Sequence, residues 1–218
     1  MRARAVALPA RRSSGLLLAA TLVAALSLWL LVAVPAQAKA ATVHLKGLQT
    51  TLTTDPATTG VLFGAGIIPL PVSPSAVTPT AHAARYTFPI TAGAVNATTL
   101  VGSIYHSGGI VLAQYTTPTT MPTSWKALSL TRFTIRITAH PYLSAVVNGG
   151  ARATIATLDL SNKTVKTFVK HHRTYVRIAG VVVNLNATAV TAINSTFGTT
   201  LTAPVTLGTA TVLARVVG

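Results

Sequence analysis

Apolar and polar positions alternate most regularly between Arg85 and Leu112. Tyr86, Phe88 and Ile90 keep a period of two, Ile104 is set off from Gly102, and Ile110 and Leu112 resume the alternation. A period of two marks strands that bury one face. The alternation breaks at Gly93 and again over His106-Ser107-Gly108-Gly109, where glycine supplies the backbone freedom that turns require. The stretch therefore predicts a strand, a tight Gly-centred turn, a second strand, and a corner leading into a third, as in an antiparallel meander.

Upstream, Val43 to Leu52 reads as a strand and Thr54-Asp55-Pro56 as a helix start. Asp or Thr can cap the first amides, and proline suits the first helical position. That helix is brief, carries Leu62 and Phe63 on its apolar side, and stops at Gly64 or Gly66. Ile67 to Val72 follows as an extended edge segment, because Pro69 and Pro71 offer no ladder donor. Ser73 to Ala84 and Gln114 to Ser124 read as loops. In Trp125 to Thr138 the apolar parity switches, from even at Leu128 and Leu130 to odd at Phe133, Ile135 and Ile137. One inserted residue restores the facing, so a β-bulge or break is expected near Thr131-Arg132.

Leu143, Ala145 and Val147 alternate up to a hairpin turn at Asn148-Gly149-Gly150, and Ala151 to Leu160 returns from it. Strands follow over Asn162 to Lys170 and Thr174 to Leu185. Asn186 caps a second helix with Ala189, Val190, Ile193 and Phe197 at helical spacing, and Gly198 ends it. Leu201 to Val205 and Gly208 to Val217 are expected to close the chain as a strand pair. The order strand, capped helix, Phe-Gly, strand occurs near both ends, a weak symmetry by which two such units could flank one sheet system as matching corners. The expected fold is all-β: an antiparallel β-sandwich with two short helices, forming one domain over residues 39–218.

Composition supports strands, since the chain is half hydrophobic and rich in β-branched residues. With no cysteine, it has neither a disulfide nor a thiolate metal site. Residues 1–38 read as a secretory signal peptide: Arg2 to Arg12, an uncharged apolar run from Gly15 to Val34, then Ala36-Gln37-Ala38 as the cleavage site. The run is also long enough to span a bilayer, so an uncleaved leader would act as an anchor and bring the chain to a membrane. The chain is expected outside the cell, free or associated with the envelope.

Charge sharpens the picture. There are 17 basic residues against two acids, Asp55 and Asp159, a formal net charge of +15. Such a surface attracts anionic polymers. The densest basic stretch, Lys163, Lys166, Lys170, Arg173 and Arg177, is the candidate polyanion-binding cluster, and an anionic envelope polymer the candidate partner. No helix-turn-helix, finger or ribonucleoprotein pattern points to sequence-specific nucleic acid.

Catalytic chemistry finds little to work with. The two acids lie far apart, which argues against a glycosidase pair. Ser107 follows His106, but Tyr105 stands where a nucleophile elbow needs glycine. His171 and His172 are adjacent and would point to opposite faces of a strand, while His44, His82 and His140 have no spaced partners, so no metal site is expected. The chain reads as a non-enzyme.

Tyr86-Thr-Phe-Pro-Ile-Thr-Ala-Gly-Ala-Val-Asn, Gly102 to Tyr105, and His106-Ser-Gly-Gly-Ile resemble the HtaA-like domain of secreted actinobacterial haem-uptake and cell-surface proteins. Ala156-Thr-Leu-Asp-Leu160 resembles a later element of the same family. The resemblance covers about residues 85–160 and implies a β-sandwich-like fold with minor helices. It further implies a small ligand, with haem the named candidate, held by a tyrosine to which a histidine is hydrogen-bonded. His106 matches the family histidine by position. The family's early Trp- and Tyr-bearing helix has no counterpart in Thr54 to Phe63, which leaves Tyr86 or Tyr105 to supply a phenolate.

Overall fold

The computed structural model describes residues 41–81, 83–114 and 125–217. The leader, His82 and the expected loop up to Ser124 lie outside the described residues, apart from Gln114. Twelve strands form one antiparallel sheet system: β1 (Thr42–Thr54), β2 (Ile67–Val72), β3 (Ala76–Pro79), β4 (Ala84–Asn96), β5 (Gly102–His106), β6 (Gly109–Gln114), β7 (Lys126–Ile137), β8 (Tyr142–Val147), β9 (Arg152–Asp159), β10 (Thr164–Lys170), β11 (Arg173–Leu185) and β12 (Val205–Val217). Two helices interrupt them, α1 (Pro56–Gly64) and α2 (Ala187–Phe197).

The sheet closes on itself. Strands run in the order β7-β5-β4-β1-β12-β11-β9-β8, and β8 pairs back onto β7, which makes an eight-stranded antiparallel barrel and not the expected sandwich. Alternation along each strand is the same in both architectures, because either buries one face of every strand. The β7–β8 ladder is a local hairpin; the ring depends on the β1–β12 ladder, which joins the two ends of the chain and which no local pattern encodes. The β2–β6 ladder extends from one half of β7, β3 edges β4, and β10 edges β11.

Closure requires strands to bend, and bulges supply the bends. The expected parity switch in β7 is one of them: its register against β8 slips between Thr131 and Thr134, with Arg132 at φ 51°. Phe133, Ile135 and Ile137 then turn inward. Inside the barrel Phe88 of β4 meets Phe133 of β7 edge-on, with ring centroids 5.0 Å apart. An aromatic pair of this kind adds about 1 kcal/mol beyond the area it buries.

Both helices begin as their caps predict. Asp55 Oδ1 accepts from the Thr58 amide at 2.9 Å, and Asn186 Oδ1 accepts from the Ala189 amide at 2.9 Å. The second helix buries Ala189, Val190, Ile193 and Phe197, and Gly198 ends it in the left-handed conformation. The first buries Leu62 alone; Phe63 faces outward, contrary to expectation. β1 and β11 lie on either side of β12, and both run out opposite its start, at Thr54↔Gly208 and Leu185↔Val205. The strands β1 and β11 thus sit on either side of β12, and the helices that follow them begin at the same end of the barrel.

Three local expectations change. Gly93 lies inside the continuous strand β4, where a Cβ would stand 3.0 Å from Ser103 O and 3.2 Å from Leu45 Cβ. The turn falls instead at Asn96, whose side chain accepts from the Thr98 and Thr99 amides. Ser73 to Ala84 is not wholly loop, since β3 pairs with β4. The closing strand pair is the single strand β12, bonded on both sides by β1 and β11.

Candidate functional site

The barrel interior is not filled. A cavity of about 110 Å³ lies between Phe88, Phe133, Ile135, Val183 and Ala210 on the walls and Leu62 of α1 and Ile193 of α2. Its lining is almost wholly aliphatic and aromatic, with Thr50, Tyr86 and His106 among the few polar side chains. Beyond the helices, Gln114 ties their ends together, its side-chain amide donating to Ala65 O at 3.2 Å and Phe197 O at 3.4 Å.

His106 ends β5 and faces inward, 5% exposed. Its Nδ1 lies 3.2 Å from Phe133 O, and a carbonyl only accepts, so Nδ1 carries the proton. Nε2 therefore accepts from the Thr50 hydroxyl at 2.7 Å. Burial holds the imidazole neutral and lowers its pKa from 6.5 to about 4, opposed in part by the Phe133 carbonyl. Tyr86 faces the same cavity from β4, yet its hydroxyl donates to Pro69 O at 2.8 Å. Burial raises its pKa, which disfavours the phenolate. Tyr105 is one residue from His106 and so points to the opposite side of the sheet, where it is 41% exposed.

The three candidate ligand residues thus divide between two places. Tyr86 and His106 share the cavity, but each spends its polar atoms on internal partners, and Tyr105 lies outside it. The donor set needed for a tyrosine-ligated haem iron, a free phenol with a histidine bonded to it, is not the one these side chains form. The sequence pattern put His106 at a corner; it could not show that Thr50, 56 residues away, would occupy its second nitrogen.

The acids are occupied as structural groups. Asp55 caps α1, and Asp159 accepts from the Ser161 amide at 2.8 Å, a bond that draws its pKa below the usual carboxylate value. Among the described residues no three His, Asp or Glu side chains gather as a metal site, and no helix is long and apolar enough to cross a membrane.

The basic cluster is ordered by strand register. Lys166 pairs with Arg177, Phe168 with Tyr175, and Lys170 with Arg173 across β10 and β11. Directly opposed residues share a face, as do residues two apart. Tyr175 in turn pairs with Arg215 of β12, and Arg215 with Lys46 of β1. Lys166, Lys170, Arg173, Arg177, Arg215 and Lys46 therefore form an outer basic ladder around the stacked Phe168 and Tyr175 rings, whose centroids are 5.5 Å apart. Lys163 lies in the turn before β10, off the ladder. Lys46 and Arg215 had no sequence signal, because they come from strands remote from the cluster.

The chain matches no protein-family model and no curated protein. Two solved structures similar to it come from the family that its turn motifs resemble. One is the haem-binding protein HtaB of Corynebacterium glutamicum, at 14% identity and TM-score 0.47, covering 81% of this chain and 96% of that one. The other is the C-terminal domain of HtaA from the same organism, at 16% identity and TM-score 0.47, covering 79% and 99%.

Proposed function

We propose that this is a secreted, non-catalytic binding protein that takes a small apolar ligand into its barrel. The cavity carries the proposal. A void of about 110 Å³ with an apolar lining forfeits packing contacts, whereas an apolar guest recovers them. Small barrels commonly hold one small ligand in this way. Haem is the candidate that the family resemblance supplies, and it is tested directly below.

Ala210 lines the cavity from β12 and is 5% exposed, so Ala210→Leu adds carbon to the void with little change elsewhere. Xenon, a neutral apolar probe small enough for a void of this size, is expected to bind the native chain once, with at least tenfold weaker binding to Ala210→Leu and no loss of thermal stability. Equal affinity for both chains would remove the cavity as the site. In a parallel haemin titration, the internal bonds of Tyr86 and His106 lead us to expect no Soret change that depends on Tyr86. A saturable change lost in Tyr86→Phe would assign haem to the barrel with Tyr86 as its ligand.

The basic ladder favours a second reading, an envelope protein that meets an anionic wall polymer through its outer face. Neither acid of the chain lies on the ladder, so its cations are not neutralised by a neighbouring carboxylate. Retention on immobilised teichoic acid is expected to fall steeply with salt, and to drop at least tenfold in affinity for Lys166→Glu with Lys170→Glu. Retention unchanged in that double variant would exclude the ladder.

A further inference from the structure

A second concave site lies on the outer wall of the barrel, apart from both the cavity and the ladder. It is a bowl of about 240 Å³ built by β5, β7, β8 and β9 around Tyr105, Thr134, Arg136, Tyr142, Ser144 and Arg152. The register explains why these residues meet. Tyr105 pairs with Thr134, Thr134 with Ser144, and Arg136 with Tyr142, so the side chains stand in adjacent rows on one face. Thr134 and Ser144 belong to the outer face, yet each is only 5% exposed. They form a hydroxyl floor, with two tyrosines and two arginines as walls.

From this arrangement we infer that the bowl binds the phosphate ester of a small polyol or sugar. Everything polar on its walls can donate a hydrogen bond, and no carboxylate lines it. Arg152 is already positioned: its Nη1 donates to Ser144 Oγ at 3.3 Å and Ser144 O at 3.4 Å, which leaves further guanidinium donors for an anion. The donors come from four strands, β5, β7, β8 and β9, and are numerous enough to meet the several oxygens of a phosphate group. The bowl is larger than a phosphate ion alone. Tyr105 and Tyr142 also line it, and a tyrosine ring can pack against the carbon skeleton of a polyol. Tyr105 thus has a place in a site that the sequence did not suggest.

The test is calorimetric titration of the full chain with glycerol phosphate, inorganic phosphate and glycerol, at about 0.15 M salt to screen the exposed ladder. One glycerol phosphate per chain is expected, with weaker phosphate binding and none for glycerol. Arg136→Ala with Arg152→Ala is expected to weaken glycerol phosphate at least tenfold, and Lys166→Glu with Lys170→Glu to leave it unchanged. Both arginines are exposed, and thermal melting confirms that their variant folds. Absence of saturable binding, equal binding of glycerol, or loss in the lysine variant in place of the arginine variant would each overturn the assignment. Competition by poly(glycerol phosphate) would identify a wall polymer as the source of the ester, and its absence a soluble metabolite. Ala210→Leu should leave this binding intact, which separates the result from that of the barrel cavity.

Discussion

Acidification from neutral pH to about pH 4 is expected to cost the folded chain about 3 kcal/mol through His106 alone. The imidazole has an ordinary pKa of 6.5, and in the fold it is lowered to about 4. Above pH 6.5 both folded and unfolded chains hold it neutral, so stability does not depend on it. Between 6.5 and 4 the unfolded chain takes up a proton that the folded chain refuses, so stability falls as pH falls. Below the folded value both are protonated and the loss levels off. Each pKa unit corresponds to about 1.4 kcal/mol, which gives the estimate. Urea unfolding across this range, with native chain beside His106→Gln, isolates the contribution. The variant is expected to be less stable at neutral pH, because Thr50 and Phe133 O lose well-placed partners, but to lose less on acidification. Parallel pH curves for the two chains would show that His106 is not the group responsible.

Gly108→Ala is expected to destabilise the barrel by about 2–4 kcal/mol, well beyond Gly149→Ala at about 1 kcal/mol. The two glycines have nearly the same backbone, φ 74° and φ 73°, so the left-handed strain of an added Cβ is common to both. Their surroundings differ. At Gly149, in the β8–β9 turn, a Cβ meets nothing within 4 Å. At Gly108, in the corner between β5 and β6, it would stand 2.3 Å from Ser75 Oγ and 2.7 Å from Val72 O. Ser75 Oγ also accepts from the Gly109 amide at 3.0 Å, so displacing it breaks a bond that holds the corner. Denaturation midpoints of the two variants decide the matter, and equal losses would mean that the corner yields without resistance.

Local chemistry was largely legible along the chain. Asp55-Pro56 and Asn186 start helices because their side chains reach amides three residues away, and Gly198 ends one because it accepts a left-handed backbone. The parity switch before Phe133 announced a bulge, since a strand must restore its buried face. These features depend on neighbours within a few residues. Gly93 misled for the opposite reason: its lack of a side chain serves the close approach of β1 and β5 and not a turn, and those strands are distant in sequence.

The sequence by itself determined an all-β chain with two capped helices, an apolar interior and an excess of positive charge. Only the tertiary structure decided that the sheet closes into a barrel, with β1 paired to β12 from the far end of the chain, because alternation is satisfied equally by a sandwich and a barrel. It also decided the sites. Thr50 closes His106, Pro69 engages Tyr86, Tyr105 turns out to Arg136 and Arg152, and Lys46 and Arg215 extend the basic ladder. Each of these juxtapositions is set by cross-strand register between segments remote in the chain, and period two says which face a side chain takes but not which neighbour it meets there.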